Sequence, residues 1–108
     1  MLSKSLAQKI VDRMMDIIPY NVNLMDKDGI IIASGDRDRI NTLHLGAQEA
    51  LQGTSDIEVY EEREGVKPGV NMPIMFNKRS IGVIGITGNP KKVRAFAELV
   101  KVTTELLI

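Results

Sequence analysis

The 108-residue chain has no cysteine, a single histidine and no net charge, its fourteen Lys and Arg being matched by fourteen Asp and Glu. Lack of cysteine rules out a disulfide framework and fits a reduced, cytoplasmic setting. Neutrality removes the broad positive field with which a domain holds nucleic acid, so these residues are not expected to bind DNA directly. The longest uninterrupted apolar run, Ile81 to Ile86, includes two glycines and falls far short of the roughly 20 residues that cross a bilayer. Charged residues interrupt every candidate apolar core near the N-terminus, so no signal peptide is read there, and no membrane partner is expected. Clustered metal ligands, a nucleophile elbow and a phosphate-cradling loop are also missing. The reading is therefore not an enzyme, with no catalytic residues, no metal and no cofactor.

What is present suffices for one domain over residues 1–108. The chain is 44% hydrophobic and long enough to bury roughly 65% of the surface its unfolded form exposes. Leu2, Leu6, Ile10, Met14 and Ile17 recur at helical spacing, with Ser3 or Ser5 to cap the start and Pro19 to stop the helix. Tyr20, Val22 and Leu24 alternate with Asn21 and Asn23, which gives a strand with one apolar and one polar face. Asp26 to Gly29 makes a tight turn, and Ile30 to Ser34 returns antiparallel. His44 to Leu51 reads as a short helix ended by Gly53. Ile57 to Tyr60 is a brief strand, and Glu61 to Gly65 a solvated charged loop. Val70 to Phe76 is a strand that tolerates Pro73 only at an edge or an irregular position. Asn77 to Ser80 turns the chain into Ile81 to Thr87, the most apolar strand and so the central one. Asn89 and Pro90 start a final helix. Its stripe Val93, Phe96, Ala97, Val100, Thr103, Thr104, Leu107 and its second stripe Leu99, Val102, Leu106 need two partners, the second being the first helix or another copy of the protein.

This order predicts an α+β fold: a mixed, mainly antiparallel sheet with an N-terminal helix, a short helix over one face and a long C-terminal helix. It is the outline of PAS-like and PDC-sensor-like domains.

The chain is organised around the stretch Ser34 to Ala50, which leaves a strand, concentrates charge in a short loop and carries His44 to a helix start. Arg39 can hold a carboxylate through two parallel hydrogen bonds, or pair with Asp36 or Asp38. Backbone N–H groups around Asn41, Thr42 and Leu43, at the start of a helix, would add partial positive charge. His44 can donate a ring N–H to a ligand oxygen, or sit on the helix surface bonded to a backbone carbonyl. Asn71 can bond a ligand hydroxyl or satisfy a strand end. Thr87 and Gly88, a hydroxyl and an exposed N–H, can serve the same pocket or form the turn before Asn89; Ser34 has the same ambiguity.

Four stretches together resemble one known family. They are Asn21 to Asp26 leading to Gly29 to Ser34; Arg39-Ile40 with His44, Gly46 and Ala47; Pro68 to Ile74; and Ile81 to Pro90. In this order, over nearly the whole chain, they are similar to the sugar-diacid recognition domain, the N-terminal sensor of bacterial carbohydrate-diacid transcription regulators. The match departs where Asn41 replaces the usual glycine, and where Val70 and Met72 replace isoleucine and leucine. The resemblance implies a domain that binds a small hydroxy-carboxylate such as glucarate, galactarate or glycerate through Ser34, Arg39, Asn41, Thr42, Leu43, His44, Asn71, Thr87 and Gly88. It also implies a DNA-binding segment in a longer protein, while the second stripe of the last helix leads to the expectation of a homodimer through the N- and C-terminal helices. The apolar finish Leu106 to Ile108 reads as a cut within such a protein. A dimerisation or scaffold module of the roadblock or profilin-like kind is the alternative, and it would have no polar cavity beside Arg39 and His44.

Overall fold

In the computed structural model residues 2–53, 55–62 and 66–108 are described; the part of the charged loop at Arg63 to Gly65 lies outside them. Helix α1 (Lys4–Met15) starts at Ser3, whose hydroxyl accepts the Leu6 N–H at 3.1 Å. It ends at Met15, before the expected Ile17, because the residue ahead of Pro19 resists helical backbone. Ile17 is therefore exposed and Ile18 enters the core instead.

Strands β1 (Val22–Asp26) and β2 (Ile31–Ser34) form the first hairpin. The Asp26 carboxylate accepts the N–H groups of Asp28 and Ile30 at 2.9 and 3.0 Å, and Gly29 takes a φ of +81°. Helix α2 (Leu45–Gly53) and the short strand β3 (Ile57–Val59) follow, then β4 (Gly69–Phe76) and β5 (Arg79–Thr87). The turn between β4 and β5 is tighter than the sequence suggests. Asn77 and Lys78 both adopt positive φ, the signature of a two-residue turn whose twist suits a hairpin, so β5 begins at Arg79. Helix α3 (Pro90–Leu106) starts as expected, the Asn89 side chain accepting the Lys91 N–H at 3.0 Å.

The sheet has the order β2-β1-β5-β4-β3, and every pairing is antiparallel. The apolar β5 is central, since a strand paired on both sides and covered on both faces excludes water best. Helices α1 and α3 cover one face. Their Ala7, Ile10, Val11, Val93, Ala97 and Val100 bury against Val22, Leu24, Val70, Met72, Ile84 and Ile86. On the opposite face α2 lays Ala47 and Ala50 on Met25, Ile31 and Val83.

Pro73 fits its constraint through the shortness of β3, which pairs only with Gly69 to Asn71 and leaves β4 an open edge beyond. Helix α3 closes that edge. Lys101 donates to the Pro73 carbonyl, and Glu105, 2.8 Å from Lys101, accepts the Met75 N–H at 2.8 Å. Arg94 ties α3 to β3 through Asp56 and Glu58, each at 2.8 Å. Among the described residues no helix is long and apolar enough to cross a membrane.

Candidate functional site

Successive side chains of a strand point to opposite faces, so the α2 face of the sheet can be read as rows. Met25, Val83 and Pro73 stand in register and form an apolar row under α2. The next row is Asn23, Gly85 and Asn71, extended to Ser34 on β2. After it comes Thr87 with Gly69, beside Asn21, whose carbonyl accepts the Thr87 N–H. Because α2 starts only at Leu45, its cover reaches past the first row no further than Asn71, which Gly46 abuts. The polar rows are left as the floor of a cavity of about 140 Å³, walled by Arg39, Leu43, His44 and Leu45 on one side and by Val66 to Gly69 on the other.

Gly85 makes the floor low. A methyl group there would stand 2.6 Å from Asn71 Oδ1 and 3.2 Å from Met25 Cε. Asn71 lies between two glycines, since a methyl on Gly46 would stand 2.7 Å from its Nδ2. Its side chain is only 4% exposed, yet its amide has no hydrogen-bond partner among the described residues. An unpaired amide this little exposed has its remaining surface on the cavity.

His44 immediately precedes α2 rather than lying in its first turn. Its Nδ1 accepts the Ala47 N–H at 3.0 Å, a side-chain cap on the helix start. Burial first, and then the Arg39 charge, lower its pKa from 6.5 to about 4, against a smaller opposing effect of its own backbone hydrogen bond. The imidazole is therefore neutral at pH 7, and with Nδ1 accepting, its proton sits on Nε2 as a donor.

Arg39 is half-buried and has no ion pair among the described residues. The Asp36 carboxylate, one of its two candidate partners, accepts the Asp38 N–H at 3.1 Å instead. Lys67 is the second cation of the wall, and among the described residues no Asp or Glu lines it. Two positive charges with no described acid between them give the wall a positive potential.

Of the residues singled out in the sequence, Arg39, Leu43, His44, Asn71 and Thr87 meet in this cavity. Ser34 is buried behind it, 2.6 Å from Asn23 Oδ1. Asn41, with φ at 74°, and Thr42 are exposed and outside the wall. Their N–H groups are not free as expected, because Asn41 donates to the Ile31 carbonyl and Thr42 to that of Arg39. The reason is that the chain pairs with β2 here and becomes helical only at Leu45. The Gly88 N–H is likewise used, by the Pro68 carbonyl, and Gly88 lines an adjoining open groove with Tyr60 and Asn89. Sequence reasoning missed Asn23 and Lys67. For Asn23 the strand alternation was a signal, placing it on the polar face.

A hydrogen-bonded chain runs from the floor to α1. Asn23 Oδ1 accepts from Ser34 Oγ at 2.6 Å and from Asn21 Nδ2 at 3.0 Å. The Gln8 amide of α1 then grips the Ser34 backbone, accepting its N–H at 3.3 Å and donating to its carbonyl at 3.2 Å.

The fold is shared with several solved structures at low identity. The GAF domain of the Acinetobacter phosphoenolpyruvate-protein phosphotransferase superposes with a TM-score of 0.70 at 13% identity, covering 96% of this chain and 80% of that one. The sensor domain of the V. cholerae histidine kinase DctB gives 0.60 at 14%, covering 94% and 40%. These likenesses show a PAS/GAF-like fold and no more. In sequence, the chain is 45% identical over 111 residues to the carbohydrate diacid regulator of Escherichia coli K12, covering 99% of this chain and 29% of that protein. It is 32% identical to the uncharacterized protein YsfB of Bacillus subtilis, covering 99% and 30%. The chain thus spans less than a third of the length of these relatives. The family described as "Putative sugar diacid recognition" matches residues 2–108, and the chain belongs to that family.

Proposed function

We propose that this domain is the sensory part of a bacterial transcription regulator and that it binds a small hydroxy-carboxylate, foremost a sugar diacid such as glucarate or galactarate, or glycerate, in the cavity between the polar rows and the start of α2. The observation that carries this is the wall itself: Arg39 and Lys67 with no carboxylate among the described residues beside them, and the neutral donor His44, over a floor of two buried asparagines. A diacid needs positively polarised anchors at both ends and hydrogen-bonding groups between them. Arg39 and His44 are the anchors at one end and Lys67 with Thr87 at the other, while Asn71 takes hydroxyls. Each charge-assisted hydrogen bond contributes roughly 1.5 to 3 kcal/mol. The polar cavity favours this reading over a scaffold module, which has no use for one. Binding rather than turnover is also what a regulator's sensory family implies, and DNA contact would belong to a segment outside these residues.

The test is calorimetric titration with glucarate, galactarate, glycerate, citrate and a neutral sugar, repeated on Arg39→Ala. The reading predicts binding of at least one hydroxy acid, no binding of the neutral sugar, and a loss of roughly tenfold or more in Arg39→Ala. Failure of every acid to bind at millimolar concentration would contradict it.

A homodimer is part of the same proposal, and its surface is α3. The stripe of α1 is consumed by the core, whereas Leu99, Val102 and Leu106 of α3 are 62%, 52% and 80% exposed. With the exposed Ala95 they follow at spacings of four, three and four residues. That is the 3.5-residue repeat of a coiled-coil seam, which is complementary to a second copy of itself.

A further inference from the structure

We propose that Asn23 turns its amide nitrogen, not its oxygen, into the cavity as a donor to ligand oxygens, and that Ser34 is the positioning residue that fixes this orientation. The inference rests on the reading of the cavity as an anion site and adds a residue to it.

The orientation follows from proton bookkeeping around Ser34. Its Oγ accepts the Asp36 N–H at 2.9 Å, so the hydroxyl's own proton is free to be donated. The side-chain atom it meets, 2.6 Å away, is that of Asn23, and an atom that receives a proton here must be the amide oxygen. Asn21 supplies a second donor to the same oxygen at 3.0 Å. Both acceptor positions of Asn23 Oδ1 are then filled, and the opposite end of the amide can only be the NH₂ group. Asn23 lines the cavity while being 1% exposed, and its Nδ2 has no hydrogen-bond partner among the described residues. Its neighbour in the row is Gly85, which has no side chain to reach over and satisfy it. No fully buried side-chain nitrogen or oxygen among the described residues lacks a partner, so this unpaired donor keeps its surface in the cavity, where an acceptor atom on whatever enters completes it.

The consequence is a specificity rule. Arg39, Lys67, His44 Nε2 and Asn23 Nδ2 all present protons, so the site discriminates for oxygen-rich anions and against an amine at the same position. Ser34, one strand away, acts on the ligand only through Asn23.

Asn23→Asp is the discriminating variant. It preserves shape and still accepts from Ser34 and Asn21, but replaces the donor by a carboxylate oxygen. With glucarate, galactarate and glycerate as probes, the acid that binds the wild type binds Asn23→Asp weaker by roughly tenfold or more. Ser34→Ala leaves only Asn21 to hold the Asn23 oxygen, so the amide orientation loosens and binding weakens severalfold, while Ser34→Thr, which keeps the hydroxyl, restores it. Side-chain ¹⁵N amide spectra of the wild type give a readout that needs no variant: the Asn23 NH₂ signals move on addition of the acid. If Asn23→Asp binds the acid as tightly as wild type, or the Asn23 NH₂ signals stay still while the Gly85 signal moves, the donor assignment is overturned and the cavity reading stands. If no acid binds the wild type, both are overturned.

Discussion

Gly85 and Asn71 face each other across the β4–β5 ladder, and a single methyl group on Gly85 would stand 2.6 Å from the Asn71 amide oxygen. The amide cannot retreat freely, because Gly46 closes the other side at 2.7 Å from Nδ2 by the same measure. Overpacking of this kind costs about 1 to 3 kcal/mol. Gly85→Ala is therefore expected to lower the urea midpoint without changing the slope, and to lose hydroxy-acid affinity beyond what the stability change explains. Wild-type stability and affinity in Gly85→Ala would show that the floor is not as tight as described.

His44 makes stability depend on pH with a definite sign. Its folded pKa is lowered from 6.5 to about 4, so the unfolded chain takes up a proton that the folded domain refuses. The stabilisation is fully present above pH 6.5 and is lost as pH falls from there towards 4, up to about 3 kcal/mol in all. Urea unfolding at pH 7 and pH 5 should show this loss in the wild type and a smaller one in His44→Gln. Equal losses in both would place the effect elsewhere.

The open edge of β4 gives a separate prediction. Glu105 accepts the Met75 N–H and pairs with Lys101, which itself holds the Pro73 carbonyl. Removing the acceptor in Glu105→Ala leaves a half-buried N–H unsatisfied and should destabilise by about 1 kcal/mol. Glu105→Gln, which can still accept, should lose less. Thermal unfolding distinguishes the two.

The α3 seam predicts that Val102→Glu leaves the monomer's stability nearly unchanged, since Val102 is exposed, while abolishing self-association. Sedimentation velocity of the wild type should show a dimer and of Val102→Glu a monomer. A monomeric wild type at high concentration would refute the seam.

The parts of this fold that were legible in the sequence are those set by local chemistry. Ser3, Asn89 and Pro90 start helices, Asp26 to Gly29 turns a hairpin, and the apolar run of β5 marks the sheet's centre. What was not legible depends on pairing between distant strands. Nothing near Asn23 says that β5 will bring Gly85 beside it, nor that β4 will bring Asn71 beyond. Register is settled by the apolar faces of the whole sheet, and one residue's slip would have turned both asparagines into the α1–α3 core. The helix start was misjudged for a related reason: residues 41–44 read as helix-initiating, but Asn41, Thr42 and His44 pair with the β1–β2 hairpin first, and the helix waits for Leu45.

If the row Asn23, Gly85, Asn71 under His44 is where a hydroxy-carboxylate binds, its amides respond to that ligand before any others. The decisive measurement follows backbone and side-chain amide signals of the ¹⁵N-labelled domain during titration with glucarate, galactarate and glycerate. The expectation is saturable shifts centred on Gly85, Asn71, Leu45 to Ala47 and Lys67 to Gly69, with α3 beyond Val100 little affected at its exposed face. Saturable shifts confined to the α1–α3 face, or none with any of the three acids, would contradict it.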